Sequence, residues 1–151
     1  MGVCERDPAV ERLKAAVIDS SVLLKWFRVD EPHAETAEVL RQAYLNDKVD
    51  LTIPDLAAYE VANVMRYRVS DDAMAAVETL FDLQIPMVRL DHPLLRRAVR
   101  TAAQYELTVY DAVFLAAAET LRLQLVTADK RFYQAIRRLP GMFFLPDLKI
   151  E

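Results

Sequence analysis

The chain has 151 residues, 54% hydrophobic and 28% charged, enough to bury the core of one domain without crosslinks. A formal net charge of -4 argues against a protein that grips nucleic acid through a generally basic surface, and the single cysteine, Cys4, excludes a disulfide framework within the chain. Charged residues interrupt every apolar stretch well before the roughly 20 residues of a membrane span, and residues 1–14 lack the apolar centre of a secretion signal, so no membrane role and a cytoplasmic location are expected.

Residues 1–14 read as a polar leader and residues 15–151 as one domain, because no repeat, low-complexity tract or linker divides them. The first element is Ala15 to Ile18, a short continuous apolar run of the kind expected for a strand buried on both faces. Asp19 emerges at its carboxyl end, Ser20 and Ser21 supply hydroxyls where the chain turns, and residues 22–27 open an apolar helix. Further helices are expected at 34–46, 55–69, 71–83, 93–105, 110–122 and 130–138, and short strands at 50–53, 87–89, 124–126 and 142–145. This alternation predicts an α/β fold with a parallel sheet covered on both faces. Ser70-Asp71-Asp72 looks like a cap between two consecutive helices, giving a helical hairpin that projects from the sheet.

Four carboxylates, Asp19, Glu60, Asp111 and Asp129, fall at or near junctions between strands and helices although long stretches separate them. Leu123 to Val126 followed by Thr127-Ala128-Asp129 repeats the strand, hydroxyl, acid, helix order of the first site. Asp111 follows Thr108-Val109-Tyr110 and opens the very apolar segment that ends at Leu121. An isolated Asp beside Ser or Thr is most simply a helix N-cap. Glu60 is different: it lies inside a helical segment, where Leu56, Tyr59, Asn63 and Tyr67 form a stripe at spacings of three or four. Burying a lone carboxylate costs several kcal/mol, so such a group is normally paired or bound to a metal. Acids distributed in this way suggest one shared metal site.

Only Gly2 and Gly141 are glycines, so neither a Walker A loop nor a dinucleotide fingerprint can be built. With only His33 and His92 and the lone Cys4, zinc clusters and a Ser-His-Asp triad are disfavoured. The available ligands are oxygens, which suit Mg²⁺ or Mn²⁺. Arginines gather at Arg89, Arg96, Arg97 and Arg100 and, with Lys130, at Arg131, Arg137 and Arg138; most are expected on solvated helix faces, with phosphate contact as the alternative.

The segments Val-Ile-Asp19-Ser-Ser-Val-Leu-Leu, Tyr-Glu60-Val-Ala-Asn63, Tyr-Asp111-Ala-Val-Phe-Leu-Ala-Ala-Ala-Glu and Leu-Val-Thr127-Ala-Asp129-Lys-Arg-Phe resemble those of PIN-domain ribonucleases. Their order and spacing are most similar to VapC-type toxins of prokaryotic toxin-antitoxin pairs. The resemblance runs from about residue 15 to residue 145 and implies a three-layer α/β/α sandwich around a mainly parallel sheet of about five short strands. It implies a catalytic and metal-binding set of Asp19, Glu60, Asp111 and Asp129, supported by Ser20, Ser21, Asn63 and Thr127. It further implies Mg²⁺, with Mn²⁺ able to substitute, an RNA substrate hydrolysed to 5'-phosphate and 3'-hydroxyl ends, a small antitoxin partner and a homodimer. By role, Asp19 and Asp111 are expected to be the main ligands, Glu60 and Asp129 to bind directly or through water, and Ser21 and Thr127 to donate to these carboxylates. The leader 1–14 is longer than such toxins usually carry.

Other readings stay open on sequence alone. An aspartyl phosphatase could use Asp19 as nucleophile, but position 21 is Ser where that chemistry wants a second Asp. A PIN-like interaction module, or a nuclease of housekeeping RNA processing, fits the same acids. Leu23, Leu24, Trp26 and Phe27, or a groove on the hairpin 55–83, could receive a partner's amphipathic helix, with ordinary core the simpler place for Trp26.

Overall fold

The computed structural model describes residues 11–151 apart from residue 69, and the side chains of residues 68, 70 and 71 fall outside the description. Five strands, β1 (Ala15–Ile18), β2 (Asp50–Pro54), β3 (Met87–Val88), β4 (Gln124–Thr127) and β5 (Met142–Phe144), form one sheet in the order β3-β2-β1-β4-β5. Every neighbouring pair is parallel. The described helices are α1 (Ser20–Phe27), α2 (Ala34–Leu45), α3 (Asp55–Arg68), α4 (Ser70–Asp82), α5 (His92–Tyr105), α6 (Val109–Leu121) and α7 (Lys130–Ile136). The architecture is the expected α/β/α sandwich, and its strands and α-helices match the sequence reading apart from their end residues, with a short 3-10 turn at Leu145–Asp147 in addition.

The central strand β1 is buried because its two faces are both covered: Ala16, Val17 and Ile18 have no exposed surface. The edge strands β3 and β5 are only half buried. On one face lies α6, packed against β1, β2 and β4, with Ala112 to Ala118 buried without interruption. A helix apolar all round is stable only when enclosed, and here α5 closes its outer side through Leu94, Ala98, Thr101 and Ala102, spaced one or two turns apart. The alanines of α6 let it sit between sheet and helix without bulky side chains forcing them apart.

Helix α3 departs from the expected stripe. Its buried side chains are Ala57, Val61 and Met65, whereas Tyr59, Asn63 and Tyr67 face solvent and Leu56 is half buried. The small and flexible residues at spacings of four fit against the sheet and α1, and the two tyrosines, each 75% exposed, lie on the opposite side. Helices α3 and α4 pack together as the expected hairpin. The cap expected at Ser70 and Asp71 falls outside the described side chains.

Residues 11–14 run beside the sheet rather than away from it. Leu13 is buried, the Lys14 amide donates to Gln124 Oε1 at 2.7 Å, and Gln124 Nε2 donates to the Arg12 carbonyl at 3.0 Å. Cys4 lies outside the described residues.

The strand order positions the site. After β1 the chain moves through β2 to β3 on one side, and β4 is followed by β5 on the other, so successive connections diverge between β1 and β4. Right-handed crossovers then place these connections on opposite faces and leave a crevice at the carboxyl ends of β1 and β4, the usual ligand position in an open α/β sheet. Asp19 and Asp129 follow those two strands.

Candidate acidic site at the carboxyl edge of the sheet

Asp19 caps α1: its Oδ1 accepts from the Val22 amide at 3.3 Å. The same carboxylate takes two further donors, Ser21 Oγ on Oδ1 and Thr127 Oγ1 on Oδ2, each at 2.5 Å. Of about four lone-pair positions on the group, three are used, and the one left is on Oδ2. The Ser21 hydroxyl also accepts from the Ala128 amide at 2.9 Å, and Thr127 Oγ1 accepts from the Asp129 amide at 3.0 Å. These bonds stitch the turn after β1 to the turn after β4. Asp129 in turn caps α7 through the Phe132 amide at 3.0 Å. The capping role expected of each Asp is therefore present, and both caps face the same crevice.

Glu60 is brought to this edge from the second turn of α3 rather than from an element boundary, and Ser20 Oγ donates to its Oε1 at 3.0 Å. Asp111 lies in the first turn of α6, where the Thr108 hydroxyl caps the helix by accepting from the Asp111 amide at 3.1 Å. The Thr108-x-x-Asp111 spacing is a capping pattern that the sequence itself carries.

Electrostatics ties the four acids together. Burial pushes the Asp19 carboxyl up to about 6, with the charge of Asp129 adding to the rise and the Ser21, Thr127 and Val22 hydrogen bonds opposing it. Glu60 is raised by burial and then by repulsion from Asp111, against the pull of Ser20. Asp111 is raised by burial and by repulsion from Asp129. Each carboxylate thus faces another across the crevice, which is the condition under which a divalent cation stabilises the fold.

The PIN domain family matches residues 16–137. This chain belongs to the PIN domain family. No curated protein sequence matches it. Among solved structures, this PIN domain is similar to VapC20 of Mycobacterium tuberculosis, described as a sarcin-ricin loop cleaving toxin, with a TM-score of 0.65 at 13% identity over 80% of this chain and 94% of that one. It is also similar to a toxin-antitoxin complex from Klebsiella pneumoniae, with a TM-score of 0.62 at 21% identity over 89% and 99% of the two chains. A third likeness is to DNA-bound VapBC from Salmonella typhimurium, with a TM-score of 0.64 at 16% identity over 87% and 96%.

The donor set of this PIN domain is entirely oxygen, which fits a hard cation. Among the described residues, however, no three Asp, Glu, His or Cys side chains are close enough to enclose an ion. That spacing would leave a divalent cation an open site with several of its own waters rather than a closed cage. Asn63 stands apart: it is exposed on α3, and among the described residues no hydrogen bond links it to the acids. Trp26 is half buried in the packing of α1 on α2, its Nε1 donating to the Ala37 carbonyl at 2.8 Å, and Leu23 is wholly buried, so neither is a free partner contact. Among the described residues no helix is long and apolar enough to cross a membrane.

Proposed function

We propose that this PIN domain is a divalent-metal-dependent endoribonuclease and the toxin of a type II toxin-antitoxin pair. The observation that carries the reading is the convergence of Asp19, Glu60, Asp111 and Asp129, from four separate segments, on the switch-point crevice with raised or mutually repelling carboxyls. A bound Mg²⁺ or Mn²⁺ supplies a water of lowered pKa and neutralises charge developing on the phosphate. Asp19 and Asp111 would hold the cation, Asp19 having one lone-pair position not used by its three donors. Ser21 and Thr127 fix the Asp19 carboxylate by their hydroxyl bonds. Glu60, whose pKa burial raises from its ordinary value, would be suited to take a proton from an attacking water, and Asp129 would help orient that water. Ser20 holds Glu60 Oε1 and leaves Oε2 free for the proton. Asn63, exposed on α3, makes no hydrogen bond to these groups among the described residues.

The structural likeness to toxins and toxin-antitoxin complexes supports an antitoxin partner. Tyr59, Tyr67, Met74 and Phe81, exposed on α3 and α4, form the surface such a partner would cover, and a homodimer is proposed with it. A cytoplasmic location is proposed along with the RNA substrate. The test is incubation of the purified protein with mixed RNA in Mg²⁺, Mn²⁺ or EDTA, beside Asp111→Asn. Cleavage that needs metal and is lost in the variant is expected; cleavage persisting in EDTA, or retained by the variant, overturns the assignment. Growth arrest on expression without the partner separates a toxin from a housekeeping nuclease.

A further inference from the structure

Beside the acids, the crevice widens into a cleft of about 450 Å³, within the range that ordinary ligand pockets occupy. Asp111 and Asp129 belong to its wall, so whatever fills the cleft reaches the acidic site without a gap. Its charge is unbalanced: Glu106, Asp111 and Asp129 line it, and Arg131 is the one cation among its described lining residues. Arg131 is exposed in the first turn of α7, yet among the described residues it forms no ion pair with any of these acids. Its planar guanidinium is therefore free for an oxyanion that can take two parallel N–H donors. Apart from the exposed Thr108, the remaining wall is apolar and aromatic, with Tyr105 and Leu107 half buried and Ala135 exposed.

We propose that this cleft is a nucleotide subsite next to the scissile bond: Arg131 takes the phosphate neighbouring the one at the acids, and the Tyr105 and Leu107 wall receives the attached base. The assignment rests on the ribonuclease reading for its polymer, but not on turnover. A strand passing an acidic crevice meets repulsion at every phosphate not held by metal, and a single unpaired arginine at the next phosphate offsets it. A half-buried aromatic and aliphatic wall offers stacking surface that every base can use. The cleft therefore fixes the register of the strand over the acids, and its shape restricts which base sits beside the cut.

The test uses the full chain carrying Glu60→Gln, to suppress turnover, and a fluorescent single-stranded RNA oligomer with Mg²⁺, read by anisotropy across a salt series. Adding Arg131→Ala is expected to weaken binding about tenfold and to reduce the salt slope by about one, the signature of one lost phosphate contact. Arg131→Lys should recover the slope but only part of the affinity, because Lys is a point charge without the fork. Ala135→Trp, at an exposed position, should fill the cleft and weaken binding several-fold while leaving the melting temperature and the slope unchanged. Unchanged affinity in both Arg131→Ala and Ala135→Trp overturns the subsite, as does a parent protein that binds no RNA. Cleavage by the chain with Glu60 intact is scored separately. Metal-dependent cleavage unaffected by either cleft substitution removes the subsite and keeps the nuclease, whereas binding lost on Arg131→Ala in a protein that never cleaves keeps the subsite and removes the nuclease.

Discussion

Asp19 is a carboxylate placed where its charge is least welcome. Its pKa of about 6 in the fold, against 3.8 when unperturbed, means that the native state holds this proton more tightly than the unfolded chain. Stability then falls as pH rises from about 4 to about 6 and is level above, the reverse of a salt-bridged Asp. A difference of about two units corresponds to at most about 3 kcal/mol, and the hydroxyl bonds lost on substitution reduce the recoverable part. In EDTA, Asp19→Asn should therefore melt a few degrees above the parent at pH 8 and show no advantage at pH 4; an equal or lower melting point at pH 8 contradicts the burial argument. Ser21 is the complementary case. Its hydroxyl donates to Asp19 and accepts from the Ala128 amide, so Ser21→Ala leaves a backbone donor without its partner. A loss of about 1–3 kcal/mol is expected, seen as a lower urea midpoint with unchanged slope.

At the level of elements, the Thr108 cap decides where Asp111 points, because the hydroxyl fixes the first turn of α6 by accepting from the Asp111 amide. Thr108→Ala should cost about 1 kcal/mol and also weaken metal binding, while Thr108→Ser should restore both. Calorimetric titration with Mn²⁺ beside thermal melting separates this from a purely structural cap, which would change the melt alone. What was legible in the sequence was whatever depends on neighbours in the chain. The apolar runs of β1 and β4, the hydroxyl and acid after each, and the continuous apolar face of α6 are local patterns, and each element formed as read. The face of α3 was not legible, because Tyr59 and Tyr67 count as apolar in a periodic pattern although their rings lie on the surface and Ala57, Val61 and Met65 make the packing. Nor could local pattern show Gln124 bonding to Lys14 and Arg12, or Arg131 lining a cleft with Glu106, since these depend on how distant segments meet. Of the site residues named from the sequence, Asn63 and Asp111 make no hydrogen bond to the others among the described residues; Asp111 is coupled to Glu60 and Asp129 through charge.

For the molecule as a whole, a cation held by the acids would couple its binding to the folded state. Asp19 and Asp129 adjoin only because β1 and β4 pair across more than a hundred residues, and the Thr127 to Asp19 bond spans 108 positions. An unfolded chain cannot present these carboxylates together, so an ion that binds them binds the native state alone and stabilises it by mass action, by about 2.7 kcal/mol at a hundredfold excess over its dissociation constant. Mg²⁺ and Mn²⁺ at millimolar concentration should raise the melting temperature of the parent by several degrees. Asp129→Asn provides the sharper comparison, because Asn can keep the cap on α7 through the Phe132 amide while removing the charge that repels Asp19 and Asp111. In EDTA that variant should melt at or above the parent, and the metal-induced rise should shrink. A parent whose melting curve does not move with either ion, or a variant that keeps the full rise, would mean that the four acids meet at this edge as caps and packing partners without forming a cation site.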